Sequence, residues 1–357
     1  MERKKIYKIL TILLVMQWAF IQIIAQYPNF IERYYSNGLY LYISKFLRII
    51  FGWLPFSMGD ILYTILFFII LKGIYTSVKI KKLHFKNTLY KTGAFLSLLF
   101  FFFNFNWGLN YFRQPITKIL GFEKTEYTPN ELISFTKQLI LKSNEIHFFI
   151  AKNDTVLIEN SFNKEQIQEM SPAAYEQLSL KHAQLKFENT SIKNSLFSVP
   201  LTYMGFAGYL NPITNEAQVN SLIPKNSYPA TVCHEIAHQV GIGSESEANF
   251  VGYLAAIHSE NAYYKYAGYL MATRYCLAEI YRTEPEQFDV LVASLNKGIR
   301  KDLKNSQDFW ASYQNWSEKY FKIFYDSFLK ANMQKDGIKG YSKMVSLLIN
   351  YYKTEEL

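Results

Sequence analysis

The sequence predicts a mostly helical α+β protein in two parts, an N-terminal set of transmembrane helices and a larger water-soluble domain with a small antiparallel sheet. Three observations carry this reading. Half of the 357 residues are hydrophobic and 17% are aromatic, yet the mean hydropathy is close to zero, so strongly apolar stretches are balanced by an ordinary soluble portion. The long apolar runs lie before residue 113. Beyond residue 244 apolar residues recur at helical spacing, whereas 195–222 alternates and turns as strands do.

The anchor, residues 1–112, opens with a basic segment and the uncharged run Ile9 to Ala25, which approaches the roughly 20 residues a bilayer requires. No small-x-small cleavage site follows before Gln26-Tyr27-Pro28, so an uncleaved helix at about 7–27 is expected rather than a removed signal peptide. Ile61 to Val78, opened by Asp60 and containing Lys72, and the uncharged Thr92 to Phe112 give two more helices, at about 60–79 and 91–112. Lys79 to Lys91 between them carries five lysines and no acid. The positive-inside rule puts this loop and the N-terminus in the cytoplasm, so residues 113–357 are expected on the extracytoplasmic side of a bacterial inner membrane. Leu39 to Pro55, apolar but interrupted by Lys45 and Arg48, suits a helix lying on the membrane surface. If it spans instead, the large domain would face the cytoplasm.

In the soluble part, Thr128-Pro129-Asn130-Glu131 is a capping box that opens a helix to about Ser143. Ser171-Pro172 opens another, through Tyr175, Leu178 and His182. Ser195 to Tyr209, the turn Asn211-Pro212-Ile213-Thr214-Asn215 and Glu216 to Leu222 read as a strand hairpin. Ser227 to Val240 reads as a helix stopped by Gly241, and further helices follow near 245–258, 261–282, 286–303, 307–332 and 340–353. The formal charge of +9 comes with no zinc-knuckle, helix-turn-helix or Arg-rich groove pattern, so it speaks for membrane topology rather than nucleic acid. Cys233 and Cys276 are the only cysteines; they could pair or remain buried free thiols, and no disulfide framework is possible.

The chemistry concentrates in His234-Glu235-Ile236-Ala237-His238. Two histidines four apart share one helix face, where both can ligate one Zn2+ ion, and Glu235 then stands beside the open coordination position. Zinc lowers the pKa of a bound water, and the neighbouring carboxylate takes its proton as general base while a carbonyl carbon is attacked. A catalytic zinc needs a third protein ligand. Ser244 stands where metzincins carry their third histidine, which disfavours that class.

Glu245-Ser246-Glu247-Ala248-Asn249 resembles the Glu-x-x-Ala-Asp or Glu-x-Glu-Ala-Asn helix of gluzincin peptidases. The resemblance implies a gluzincin-like domain in which Glu245 is the third zinc ligand and Asn249 supports a ligand histidine from behind. Asn249 departs from the more usual aspartate. Glu247 is the alternative ligand, and either acid could instead serve only the positive end of its helix. Asn215 to Asn220, the histidine motif and Glu245 to Leu254 together also resemble an uncharacterised bacterial family of membrane-anchored HExxH proteins, a domain of unknown function, which supports the architecture without lending an activity.

The expected function is therefore a membrane-anchored zinc metallopeptidase acting on peptide or protein substrates, with the lipid bilayer as its second partner. The alternative is a catalytically silent zinc-bound scaffold or binding module; Glu235 and the open position argue against it. A transporter is disfavoured, because three helices show no paired broken-helix pattern. The 216–222 segment is a candidate edge strand for extended substrate. Tyr253, His258, Tyr266 and Arg274 are candidate oxyanion donors that the sequence does not separate, while His84, His147 and His182 lack ligand spacing.

Overall fold

A computed structural model describes residues 2–79, 85–332 and 341–357. The chain divides into two compact units, Met1–Gln114 with Asn211–Glu216, and Pro115–Leu210 with Ala217–Leu357.

In the first unit, α1 (Glu2–Ile24) is followed by α2 (Pro28–Phe30), a π-helical stretch (Ile31–Leu39) and α3 (Tyr40–Gly52), then by α4 (Met58–Lys79) and α5 (Phe85–Asn106). Glu2–Ile24, Met58–Thr76 and Lys86–Asn106 are long and apolar enough to cross a membrane, and they leave large apolar side chains such as Val15, Trp18 and Phe68 exposed. The centre of the basic loop, 80–84, lies outside the described residues. The third helix was expected to reach Phe112. It stops at Asn106, and the chain tightens into a 3-10 turn over Gly108–Phe112, where a side chain on Gly108 would meet the Phe103 ring at 2.6 Å.

α1 lies against α5. The Thr11 hydroxyl donates to the Tyr90 carbonyl at 3.0 Å, and the Gln17 amide donates to Ser97 Oγ at 3.4 Å. A Cβ on Gly93 would approach Thr11 Cγ2 to 2.5 Å, so the missing side chain sets the close approach. These paired positions ascend together along both helices, which therefore run parallel. The loop Asn211–Glu216 closes this unit with buried polar bonds. Arg48 donates to Asn215 Oδ1 at 2.6 Å, Asn215 Nδ2 donates to the Tyr40 hydroxyl at 3.0 Å, and the Glu216 carboxylate accepts the N–H groups of Met58 and Gly59 at 3.1 and 2.6 Å. A carboxylate on the first N–H groups of α4 is favoured by the helix dipole. Asn215 holds φ +56, a conformation that asparagine tolerates.

The second unit is built from α6 (Ile116–Leu120), α7 (Pro129–Ala151), α8 (Lys164–Lys181), β1 (Ile192–Asn194), α9 (Ser198–Met204), β2 (Gly208–Leu210), β3 (Ala217–Val219), α10 (Tyr228–Gln239), α11 (Glu245–His258), α12 (Ala262–Thr283), α13 (Pro285–Ala293), α14 (Lys297–Ser312), α15 (Glu318–Ala331) and α16 (Tyr341–Tyr351). Its core gathers Leu139, Tyr175, Val232, Phe250, Leu254, Cys276 and Leu348 from α7, α8, α10, α11, α12 and α16. The capping box at Thr128 and Glu131 is present, and the helix it opens runs to Ala151.

Four expectations are corrected. Pro172 sits inside α8, which Asn163 and Gln166 cap; the carbonyl that its missing N–H would have bonded, that of Gln168, accepts the Ser171 hydroxyl at 2.7 Å instead. Ser198–Met204 is helical rather than extended. The sheet is mixed, with order β1-β3-β2: β3 pairs antiparallel with β2 and parallel with β1. The 216–222 segment therefore supplies the central strand, and β2 is an edge. Finally, the helices expected over 286–303 and 307–332 are cut elsewhere. Asn296 bonds back to Asn144 through its N–H and side chain at 2.8 and 3.2 Å, and the Asn315 side chain takes the Ser317 N–H at 2.9 Å.

Candidate metal centre

α10 begins with Pro229 in its first turn, where a proline costs no hydrogen bond. It ends at Gly241, whose φ of +92 is a backbone state that side chains resist. The Ile242 N–H returns to the Ala237 carbonyl at 3.0 Å, and the Ile242 carbonyl accepts His238 Nδ1–H at 2.7 Å. That bond fixes the ring so that Nε2 faces His234 and Glu245. Two residues later α11 begins, with Glu245 as its first residue.

His234 Nε2 and His238 Nε2 lie 3.2 Å apart. Glu245 Oε2 is 3.4 Å from the first and Oε1 is 3.6 Å from the second. Ligand atoms bound to a tetrahedral zinc at roughly 2.0–2.2 Å stand about 3.4 Å from one another, so the two imidazole nitrogens and the carboxylate, which meets each of them through a different oxygen, are spaced as ligands of one such site are. His234, Glu235 and His238 also form a group whose ligand atoms all fall within 4.8 Å. The approach of the two helices depends on Gly252: a Cβ there would meet the His234 N at 2.8 Å and Cα at 2.9 Å.

Glu247 points elsewhere and accepts the Ile116 N–H at 3.1 Å. The orienting role that the resemblance implied for Asn249 is not seen: Ile242 supplies the acceptor for His238, and His234 Nδ1 is buried without a partner. Glu235 is buried, and its Oε2 has no hydrogen-bond partner. β2 reaches it only because residue 208 is glycine, since a Cβ there would stand 2.5 Å from Glu235 Oε1.

With no metal bound, burial pushes the Glu235 carboxyl up to about 6, against the pull of His234 and His238. Burial works against a charge on His238, but Glu245, Glu235 and the Ile242 carbonyl outweigh it and raise the imidazole to about 9. Burial likewise opposes charge on Glu245, yet the two histidines hold its carboxyl well below the usual range.

Of the expected oxyanion donors, the Tyr253 hydroxyl bonds Tyr352, Tyr266 donates to Asp302 and His258 donates to the Leu254 carbonyl. Arg274 lines a cleft of about 340 Å³ with Thr202, Ala207, Thr231, Glu318 and Lys322, and Thr231 precedes His234 by one helical turn. Sequence reasoning missed Tyr325, whose hydroxyl donates to Glu245 Oε1 at 2.7 Å. With 28 tyrosines in the chain nothing local marks it. Cys233 and Cys276 are buried free thiols. His147 and His182 bond Val156 and Tyr351 as structural residues, and His84 lies outside the described residues.

A family model described as a protein of unknown function (DUF3810) matches residues 35–349, and the chain belongs to that family. No curated protein and no solved structure matches the chain.

Proposed function

We propose that this member of a family of unknown function is a membrane-anchored zinc metallopeptidase of gluzincin type, hydrolysing peptide or protein amide bonds with Glu235 as general base. One observation carries the reading: the His234 and His238 Nε2 atoms stand 3.2 Å apart and the Glu245 carboxylate reaches them through its two oxygens at 3.4 and 3.6 Å, with a buried carboxylate beside them that has an oxygen to spare. A purely structural zinc site would close its fourth position with another ligand and would need no such base.

Zinc, when bound, supplies Lewis-acid polarisation and an acidified water. The chain's own residues do the rest. His238 is aimed by the Ile242 carbonyl, and Glu245 balances the charge. Glu235, raised by burial, is suited to accept a proton near neutral pH and return it to the leaving amine. The 340 Å³ cleft beside Thr231 and Ala207 offers space for substrate, and the β2 edge lies next to Glu235.

The parallel packing of α1 and α5 supports a topology in which α4 crosses once between them and Leu39 to Pro55 does not cross. An added crossing would make the two helices antiparallel. With the lysine-rich loop inside, residues 113–357 then lie on the extracytoplasmic side of a bacterial inner membrane.

The test is to purify the full chain in detergent, measure bound zinc, and compare wild type with Glu235→Gln on a broad peptide library. Zinc in both with cleavage by wild type alone is expected. Absence of zinc from wild type overturns the proposal, and zinc in both with cleavage by neither favours the silent scaffold.

A further inference from the structure

α15 is a surface helix with apolar side chains on both its inner and its outer side. Its inner side covers the metal centre: Tyr325 donates to Glu245 and packs edge-on against Phe206 at 5.0 Å, Leu329 is buried, and Glu318 comes within 3.2 Å of where a Cβ on Gly205 would stand. Its outer side carries Tyr320 and Phe324, four apart and so on one face, with Ile323 beside them and Trp316 in the turn ahead of the helix; Trp316, Tyr320, Phe324 and Ile323 are 83, 65, 72 and 55% exposed. Its lysines are exposed as well, but a helix that merely closed a soluble domain would not leave such a row of large apolar side chains in water.

We infer that the outer face of α15 lies on a lipid surface, which makes the helix a bilayer-seated lid over the metal centre. Three features of the chain select lipid as the occupant. It carries three helices long and apolar enough to cross a membrane, so a bilayer accompanies it. The row combines tryptophan and tyrosine, which favour the headgroup level, with phenylalanine and isoleucine, which favour the acyl boundary. Lys319, Lys322 and Lys330 outnumber Glu318 and Asp326 on the same helix, and that excess suits anionic headgroups. The role as a lid rests on the metal-site reading; the lipid contact does not.

Site-directed spin labelling tests the contact in the full chain. The two natural cysteines are fully buried, so label is directed to Phe324→Cys or, should that variant fold poorly, to Tyr320→Cys, with Asp308→Cys as an exposed control. The protein is reconstituted at low density in liposomes of mixed zwitterionic and anionic lipid, with a water-soluble nickel chelate on both sides. At positions 320 and 324 dissolved oxygen is expected to relax the label strongly and the chelate weakly, with the opposite pattern at 308. Equal chelate access at 324 and 308 overturns the inference. So does a label shielded from both reagents with dipolar broadening that disappears on dilution with unlabelled chain, because that pattern identifies a second copy as the occupant.

Discussion

Two buried carboxylate clusters in the second unit differ in one respect. Asp302 is saturated: it accepts the Tyr266 hydroxyl at 2.5 Å, Asn226 Nδ2 at 2.8 Å and the Ile158 N–H at 3.5 Å. At the metal centre Glu235 Oε2 and His234 Nδ1 are buried with no partner, and two imidazole nitrogens crowd against both oxygens of Glu245. A buried polar group normally finds its bonds. The first cluster has done so and holds helices together, whereas the second, on the proposed reading, keeps those atoms for a metal ion and its water.

The largest test of that contrast is Glu235→Gln. An oxygen without a bond has little structural work to lose, so the thermal midpoint and zinc content should stay near wild type while peptide cleavage falls by roughly 10²- to 10⁴-fold, the usual contribution of a general base. A large loss of stability with little loss of turnover would make Glu235 a structural residue and remove the contrast.

Asp302→Ala should do the reverse. It strands the Tyr266 hydroxyl and the Asn226 amide in the interior, at a cost of about 2–4 kcal/mol, read from denaturant unfolding in detergent, while zinc stoichiometry in the folded fraction is unchanged. Loss of activity in a variant as stable as wild type would show that the saturated cluster is catalytic after all.

Gly252→Ala sits between the two regimes, because backbone close approach serves packing and ligand geometry together. The added methyl meets the His234 backbone, which cannot rotate away as a side chain would. α11 must shift, costing about 1–3 kcal/mol, and Glu245 moves off the two imidazoles with it. Zinc affinity should therefore drop further than in Asp302→Ala, although the stability loss is smaller; retained affinity would mean that the helix spacing has slack.

How much of this could be read from the sequence follows the range of each interaction. His234, Glu235 and His238 lie within one helix, so their spacing was enough to propose them together, whereas Glu245, one tight turn beyond, came from the resemblance of its helix to that of gluzincins, with Glu247 as the alternative. α11 was bounded by the same local signals. Tyr325 reaches Glu245 across 80 positions and carries no spacing signal, and Gly252 matters only against a backbone on another helix. The cut at Asn296 and the central position of β3 are likewise decided by partners far along the chain, whereas the interior Pro172 followed from a local capping box at Asn163 and Gln166 that went unread. Glu216 was legible only as the start of a strand, while its bonds to Met58 and Gly59 belong to the tertiary fold.

The smallest effect separates the clusters by pH. Burial pushes the Asp302 carboxyl above its ordinary value of 3.8, opposed by bonds from Tyr266 on α12, Asn226 ahead of α10 and the Ile158 N–H, and by His147 on α7. A carboxyl that holds its proton more tightly when folded contributes stability that is complete below the unfolded value and is lost as pH rises through the folded one. Wild type should therefore lose stability relative to Asp302→Asn as pH is raised from below 3.8, with the difference levelling off once the folded carboxyl has ionised. The comparison cancels every other titrating group, including the zinc ligands. A difference that grows with pH instead would mean that the bonds from Tyr266 and Asn226 outweigh burial, and that the saturated cluster is held together by charge.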